Sequence, residues 1–179
     1  ITERVKRKGA RVFVDADGEL LQKTLAAKVL PDLIKPNQME LLQYFGADAS
    51  QQTGEAQLLS LGRTLRSRGI QTVAISRGGD GALFLTPGGD YACAALPVEV
   101  RSTVGAGDAM VAALCHAIDR NGSFAGVSRS DGGWEQCIRL AMAVSAAAVT
   151  TSGTRPASQE TVSKLEKLVQ LRELSRGDV

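Results

Sequence analysis

The chain opens with two short apolar runs separated by a stretch of helical periodicity. Residues 11–15 (Arg-Val-Phe-Val-Asp) predict a short buried strand that ends in a polar loop. Residues 19–29 place leucine and valine at helical spacing, and Pro31 ends that helix. Residues 33–36 predict a second strand stopped by proline, and Asn37 then has the side chain to cap a further helix.

The middle of the chain continues this alternation and adds a hairpin. Residues 54–69 carry leucine along one helical face, and residues 72–75 form a continuous apolar run of the kind buried in parallel sheets. Two segments, residues 82–86 and 91–95, flank a Pro-Gly-Gly turn and predict a hairpin. Residues 98–100 predict a brief strand that leads into a glycine-rich turn.

The last third of the chain is predicted to be mostly helical. Helices are expected over residues 107–118, over the alanine-rich residues 134–149 and over the amphipathic residues 159–171. The polar residues 121–133, rich in glycine and serine, predict a surface loop. Alternating strands and helices with one central hairpin indicate an α/β fold with a mainly parallel sheet.

Composition and charge remove several classes of function. Apolar residues make up 44% of the chain and charged residues 22%, as in ordinary soluble globular proteins. The formal net charge is +2 without a basic stripe, so we expect no nucleic-acid partner. No apolar run approaches the roughly 20 residues of a membrane helix. Charged residues from Glu3 onward argue against a signal peptide. We therefore expect no membrane association and a cytoplasmic location.

Few side chains offer nucleophilic or metal-binding chemistry. Three widely spaced cysteines, Cys93, Cys115 and Cys137, lie beside small apolar residues, which predicts reduced and mostly buried thiols. The single histidine, His116, falls within an apolar helical pattern, where packing is the simpler explanation. A serine hydrolase that uses His116 is set aside because the chain has no Gly-x-Ser-x-Gly elbow.

A glycine-rich turn over residues 102–108 (Ser-Thr-Val-Gly-Ala-Gly-Asp) joins the last predicted strand to a predicted helix. Gly105, Ala106 and Gly107 are small enough for backbone N–H groups to approach an anion, and the helix N-terminus adds partial positive charge. Asp108 at the helix mouth has the chemistry to accept a hydroxyl proton. An ordinary capped turn has the same appearance, and the run fits neither the Walker nor the dinucleotide-binding pattern.

Three further segments carry candidate binding residues. Asn37 and Glu40 lie three apart on one helix face and can order the water shell of Mg²⁺, although capping alone accounts for both. Residues 76–81 (Ser-Arg-Gly-Gly-Asp-Gly) follow a buried strand, where ligands of open α/β sheets bind. Residues 141–149 are almost all small, which suits tight helix packing or a flat wall for an adenine ring.

The order of these motifs resembles the ribokinase-like (PfkB-type) sugar kinases. It runs from Lys-Pro-Asn-x-x-Glu-Leu at Lys35, through Ser-x-Gly-x-x-Gly-Ala at Ser76 and residues 102–108, to the alanine-rich helix ending in Thr-Ser-Gly-Thr at Thr154. Within the family the chain is most similar to 1-phosphofructokinases and their tagatose-6-phosphate kinase and minor 6-phosphofructokinase relatives. The resemblance implies a three-layer ribokinase-like fold, with residues 1–179 as its C-terminal ATP-binding and catalytic part.

The resemblance also implies a role for each motif residue. Asp108 matches the catalytic base, and Gly105, Ala106 and Gly107 match the anion hole for the transferred phosphate. Asn37 and Glu40 match an Asn-x-x-Glu element that acts on Mg²⁺ through water, with Asn37 also on the nucleotide side. A last group matches positions near the nucleotide, and its members are Lys35, Ser76, Gly79, Gly81 and Ala146.

The implied activity is ATP-dependent phosphorylation of a sugar phosphate, with fructose 1-phosphate to fructose 1,6-bisphosphate as the best guess. Tagatose 6-phosphate or fructose 6-phosphate as acceptor, and a non-catalytic nucleotide-binding module on the same scaffold, remain alternatives. The cofactors implied are ATP and Mg²⁺. A monovalent cation is a further candidate, although Ser102 stands where the resemblance would place an acid.

The family resemblance also bears on chain length. It implies that a preceding half with sugar-contacting residues and a β-sheet lid is absent, and Ile1 in place of an initiator Met agrees with that. We therefore expect the 179 residues alone to have little activity. The full-length protein is expected to be a homodimer.

Overall fold

The structure, a computed structural model, describes residues 1–47, 53–130, 132–153 and 155–174. Its strands are β1 (Phe13–Val14), β2 (Leu33–Ile34), β3 (Thr72–Ser76), β4 (Ala82–Thr86), β5 (Gly89–Cys93) and β6 (Leu171–Leu174). Its helices are α1 (Thr2–Lys6), α2 (Gly18–Ala26), α3 (Gln38–Tyr44), α4 (Glu55–Ser67), α5 (Ala106–Arg120), α6 (Phe124–Arg129), α7 (Gly133–Val149) and α8 (Gln159–Glu166). A short 3-10 turn covers Gly78–Asp80.

The strands form one sheet in the order β1-β2-β3-β4-β5-β6. β1, β2 and β3 pair in parallel, and helices make the connections between them. β3 to β6 pair antiparallel. Short turns link β3 to β4 and β4 to β5, whereas α5 to α8 lie between β5 and β6. The expected mainly parallel sheet is therefore a mixed one, with its parallel part confined to the first three strands.

Helices cover both faces of the sheet, which gives the three layers that the resemblance implied. Side chains alternate along β3, so Val73 and Ile75 join the core under α2, α3 and α4, whereas Ala74 joins the core under α5 to α8. β4 behaves in the same way, with Leu83 and Leu85 on one side and Phe84 on the other. None of the helices in the described ranges has the length and apolar character needed to span a bilayer.

Most predicted elements of the first two thirds are confirmed. The helix expected over residues 54–69 is α4, the strand expected over residues 72–75 is β3, and the hairpin is β4 with β5. Its second strand begins at Gly89, earlier than predicted, since Pro87 and Gly88 alone make the turn. The strand predicted over residues 98–100 is wrong, because that segment is irregular and pairs with no described strand.

The surface loop predicted over residues 121–133 contains a helix, α6. The Ser123 hydroxyl caps it by accepting a hydrogen bond from the Gly126 N–H at 2.9 Å. Phe124 and Val127 are buried, and the Phe124 ring stacks on Trp134 with centroids 6.0 Å apart. Two apolar residues three positions apart thus fold this polar stretch onto the core. Residue 131 of the predicted loop lies outside the described residues.

The predicted C-terminal helix over residues 159–171 is too long. α8 ends at Glu166, and Leu171–Leu174 forms the edge strand β6, in register with β5 through pairs such as Ala92 with Arg172. The unpaired edge of β5 offers hydrogen-bonding groups that a strand satisfies and a helix does not. Thr154, the end of the family motif, lies outside the described residues.

Phe124→Ala is expected to lower the free energy of unfolding by about 3 kcal/mol, since it removes a buried ring between Phe13 and Trp134. Leu20→Ala on α2 is the control, because Leu20 is 65% exposed and its truncation should stay within about 0.5 kcal/mol of wild type. Urea denaturation followed by tryptophan fluorescence measures both. Equal effects of the two substitutions would contradict the packing of α6 on the core.

Candidate active site

The three parallel strands end at one edge of the sheet, and a polar side chain stands at each end. Asp15 follows β1, Lys35 follows β2, and Ser76 is the last residue of β3. Asn37 extends the sheet beyond β2 through an isolated parallel bridge with Ser76. Ligands of open α/β sheets bind at the carboxyl ends of strands, so this edge is the candidate site.

A cavity of about 680 Å³ opens at this edge and gathers most of the predicted site residues. Eight of the eleven line it, namely Lys35, Asn37, Ser76, Gly79, Gly81, Ala106, Gly107 and Ala146. The other three do not line the cavity: Gly105 and Asp108 adjoin lining residues in the sequence, and Glu40 lies three positions from Asn37. Segments far apart in the sequence thus converge as the motif order predicted.

The cavity also has an apolar wall, of which the sequence predicted the part on residues 141–149 but not the part at Leu96. Met142 and Val149 line it on the same face of α7 as Ala146, and Leu96 lines it from the irregular segment after β5. The spacing of residues 142, 146 and 149 indicates a shared helix face, since residues four and seven positions apart lie on the same side of a helix. The irregular segment gave no such signal, because its burial depends on contacts with α7.

The glycine turn places the N-terminus of α5 at the cavity. Gly105 has φ 83°, in the left-handed region that favours glycine, and precedes the first residue of the helix. Its carbonyl accepts a hydrogen bond from the Ala109 N–H at 2.8 Å, which closes the first turn. The N–H groups at the start of a helix have no partner within it, so those near Gly107 can donate to an anion.

α7 holds the glycine turn on both sides. The Val149 carbonyl accepts a hydrogen bond from the Arg101 N–H at 2.8 Å, which fixes the chain entering the turn. The Ser145 hydroxyl donates to the Ala106 carbonyl at 3.0 Å, which fixes the chain leaving it. The turn is therefore held in place by backbone and hydroxyl contacts with one neighbouring helix.

Lys35 brings a cation to the same point. Its side chain is 7% exposed, and Nζ lies 3.3 Å from Oδ1 of Asp15. A Cβ built on Gly107 would lie 2.9 Å from Nζ of Lys35, so the ammonium stands directly against the first turn of α5. Sequence reasoning missed Asp15, although its place at the end of the first predicted strand put it at the same edge of the sheet.

Asp108 lies in the first turn of α5, one residue after Gly107. Its carboxylate is exposed to solvent rather than buried in the cavity. It therefore stands beside the lining residue Gly107 but outside the cavity lining.

Asn37 and Glu40 form a reciprocal capping box at the start of α3. The Asn37 Oδ1 accepts from the Glu40 N–H at 2.9 Å, and the Asn37 N–H donates to Oε2 of Glu40 at 2.8 Å. The Asn37 side-chain amide also donates to Oε1 of Glu40 at 2.6 Å. The capping role that the sequence allowed is thus the one seen.

Glu40 can still contact Mg²⁺ through water while it takes part in the capping box. Each carboxylate oxygen of Glu40 accepts one hydrogen bond and keeps a second acceptor position, which fits contact with a metal-bound water. Within the described ranges, no three His, Cys, Asp or Glu side chains cluster as a ready metal site. The residues therefore fit a Mg²⁺ held mainly by nucleotide phosphates and water, and do not fit a cage of protein ligands.

The loop between β3 and β4 closes tightly beside the cavity. The Arg77 N–H donates to the Gly81 carbonyl at 2.8 Å, and the Arg77 guanidinium pairs with Glu55 of α4 at 3.5 Å. Gly81 has φ 89°, and a Cβ there would lie 2.0 Å from the carbonyl oxygen of Cys93. Only glycine fits at position 81, which explains that motif position by backbone approach.

The cysteines and the histidine stand apart from this site. Burial raises the pKa of the Cys93 and Cys137 thiols to about 12, so both stay protonated and unreactive at neutral pH. Cys115 is half-buried, and burial raises its pKa as well. His116 is exposed in the middle of α5, away from the glycine turn. The prediction of reduced, mostly buried thiols is confirmed.

Fold and site together define an α/β domain in which a helix N-terminus and a buried lysine meet at one edge of the sheet. Residues 1–161 match the pfkB family of carbohydrate kinases, and the chain belongs to that family.

Relatives and solved structures agree with this assignment. The chain is 41% identical to the 1-phosphofructokinase of Rhodobacter capsulatus over 63% of its own length and 34% of that protein. It is 37% identical to the 1-phosphofructokinase of Xanthomonas campestris over 86% of its length and 45% of that protein. The structure of phosphofructokinase-2 from Escherichia coli in complex with potassium superimposes with a TM-score of 0.76 at 28% identity, covering 93% of this chain and 50% of the other. The chain thus spans at most half the length of these proteins.

Gly81→Ala is expected to destabilise the fold by about 2 kcal/mol or more, because it forces a left-handed backbone and a clash with the Cys93 carbonyl. Gly79→Ala in the same loop is the matched control, since a Cβ there meets nothing within 4 Å. Its effect on stability should stay within about 0.5 kcal/mol. Chemical denaturation measures both, and a tolerated alanine at position 81 would contradict the described loop.

Thiol titration tests the buried cysteines. At pH 8 the native protein should present Cys115 first to a disulfide reagent, while Cys93 and Cys137 should react only as fast as the fold opens. The same protein in denaturant should release all three thiols at once. Rapid reaction of Cys93 or Cys137 in the native state would show that their burial is misassigned.

Proposed function

We propose that the protein containing this chain is an ATP-dependent sugar-phosphate kinase, and that fructose 1-phosphate is its acceptor. The observation that carries the proposal is the meeting of two positive groups at Gly107, the N-terminus of α5 and the Lys35 ammonium. Two positive groups at one point favour an anion of high charge, as a nucleotide phosphate has. The similarity to the 1-phosphofructokinases of Rhodobacter capsulatus and Xanthomonas campestris supports the choice of acceptor.

The nucleotide takes the cavity in this proposal. Its phosphates lie against Ala106, Gly107 and Lys35, which line the cavity, and Gly105 is the adjoining residue of the same anion hole. The apolar wall of Ala146, Met142 and Val149 receives the adenine ring. Ser76, Gly79 and Gly81 line the part of the cavity between them and are assigned to the ribose and phosphates. The mixture of an apolar wall with a few converging polar groups is typical of nucleotide-sized ligand sites.

Asp108 acts as the general base toward the acceptor. Its carboxylate takes the proton of a primary hydroxyl, the hydroxyl oxygen forms a bond to the γ-phosphorus, and the bond to the β-phosphate oxygen breaks to release ADP. The N–H groups at the start of α5 and the Lys35 ammonium stabilise the charge on the transferred group. The place of Asp108 in the first turn of α5, one residue after Gly107, supports this role.

Mg²⁺, when bound with ATP, supplies further charge neutralisation at the phosphates. Asn37 and Glu40 would hold it through water, and their fixed geometry in the capping box supports that assignment. A monovalent cation is the remaining candidate cofactor, and the related phosphofructokinase-2 from Escherichia coli has been crystallised with potassium.

Asp108→Asn should lower kcat by about 10²- to 10⁴-fold, because the amide cannot take the hydroxyl proton, while ATP binding persists. The measurement is coupled ADP release by the protein in the full length that its gene encodes. Asp119→Asn on the same helix is the matched control, since Asp119 is exposed near the far end of α5 and should retain wild-type turnover. Near-normal turnover by the Asp108→Asn variant would contradict the assignment of Asp108 as the general base.

A panel of acceptors separates the alternatives. Fructose 1-phosphate is expected to give the highest kcat/KM, ahead of fructose 6-phosphate, tagatose 6-phosphate and unphosphorylated sugars. If another sugar phosphate gives the highest turnover, the assignment of the acceptor changes and the assignment as a kinase stands. Nucleotide binding without turnover on any of them would instead favour the non-catalytic module.

A further inference from the structure

A carboxylate that none of the motifs contains touches the centre of the proposed site. Oδ1 of Asp15 lies 3.3 Å from Nζ of Lys35, and a Cβ built on Gly107 would lie 3.3 Å from Oδ2 of Asp15. Asp15, Lys35 and Gly107 thus meet at one point, although they come from the end of β1, the end of β2 and the first turn of α5. Asp15 itself does not line the cavity, whereas Lys35 and Gly107 do.

The position of the Lys35 ammonium needs an explanation before any ligand is present. The lysine stem is flexible, and a cation there faces the positive end of the α5 dipole, which repels it. Burial adds a desolvation cost, since the side chain is only 7% exposed. Among the described residues, Asp15 is the one carboxylate within ion-pairing distance of this ammonium.

We propose that Asp15 is the positioning residue of the phosphate site, which holds Lys35 against the first turn of α5 so that its ammonium meets the nucleotide phosphate. The inference rests on the proposed function in that it takes Lys35 to contact phosphate. Asp15 acts through Lys35 and is assigned no contact with the nucleotide or with Mg²⁺. Its side chain is 29% exposed, so the pair keeps a path to solvent and can open toward an entering anion.

The distance between the Asp15 carboxylate and the Lys35 ammonium fits a carboxylate that positions the lysine better than it fits a tight ion pair. At 3.3 Å the contact is longer than the 2.7–2.9 Å of a strong charge-assisted hydrogen bond. An ammonium has three donors, and a single long contact leaves the others for a phosphate. The ion pair between Lys6 and Asp32 elsewhere in the chain is 2.8 Å long, which shows the tighter alternative in the same protein.

A double-mutant cycle on ATP binding tests the inference directly. Asp15→Asn should raise the Kd of ATP about tenfold, since the amide keeps the shape but not the charge that holds Lys35. Lys35→Met should raise it more, and Asp15→Asn added to Lys35→Met should have no further effect. The probe is ATP, titrated by calorimetry in the full-length protein, first without and then with Mg²⁺.

Asp17→Asn provides the control, because Asp17 lies two residues on in the same loop, is exposed, and makes no side-chain capping bond to α2. Its ATP affinity should equal that of wild type. If the effects of Asp15→Asn and Lys35→Met instead multiply in the double variant, Asp15 acts independently of Lys35 and the inference is overturned. A loss in Asp15→Asn that appears only with Mg²⁺ present would also overturn it, since that marks a metal contact.

The same cycle on kcat separates this inference from the proposed function. If the losses in ATP affinity do not multiply in the double variant, the positioning role is upheld. If the wild-type protein at the same time turns over no sugar phosphate, the kinase assignment is defeated. Normal turnover in wild type with multiplying losses would do the reverse. Urea denaturation of each variant shows whether the fold persists, and Asp15→Glu, which restores the charge, should recover part of the affinity if positioning is the role.

Discussion

α5 and α7 pack against each other on one face of the sheet, and this contact determines where the groups of the site stand. Small buried side chains, such as Ala113 on α5 and Ala141 on α7, allow the two helices to approach closely. The Val149 carbonyl and the Ser145 hydroxyl then hold the chain before and after the glycine turn. The donors at the start of α5 are therefore oriented before an anion arrives, which is the condition for electrostatic stabilisation of a transferred phosphate.

The charged groups around the glycine turn have two effects, which are to hold Lys35 in place and to attract an anion. The helix terminus and Lys35 favour an anion, and a carboxylate too close to them would compete with a phosphate. Asp15 pairs with Lys35 at a long distance and stays outside the cavity lining, so it offsets the cation without occupying the ligand position. Glu40 of the motif at α3 is engaged by Asn37 in the capping box.

The sequence predicted those parts of the molecule that depend on local spacing. β3, the hairpin, α4 and α7 follow from apolar periodicity, and eight of the eleven motif residues line one cavity. α6 could not be predicted because Phe124 is buried by Phe13 and Trp134, which are distant in sequence or beyond the loop. β6 depends on the open edge of β5, and Asp15 depends on how β1 meets α5. Long-range contacts account for each of these misses.

The exposure of Asp108 gives the proposed reaction an asymmetry between donor and acceptor. In the proposed reaction the nucleotide side has a buried cation, Lys35, whereas Asp108 on the acceptor side is exposed in the part of the chain that the structure describes. A hydrated carboxylate removes a hydroxyl proton poorly, so the bound acceptor has to displace water from Asp108. A sugar phosphate suits this task, because binding its remote phosphate supplies free energy that an unphosphorylated sugar lacks.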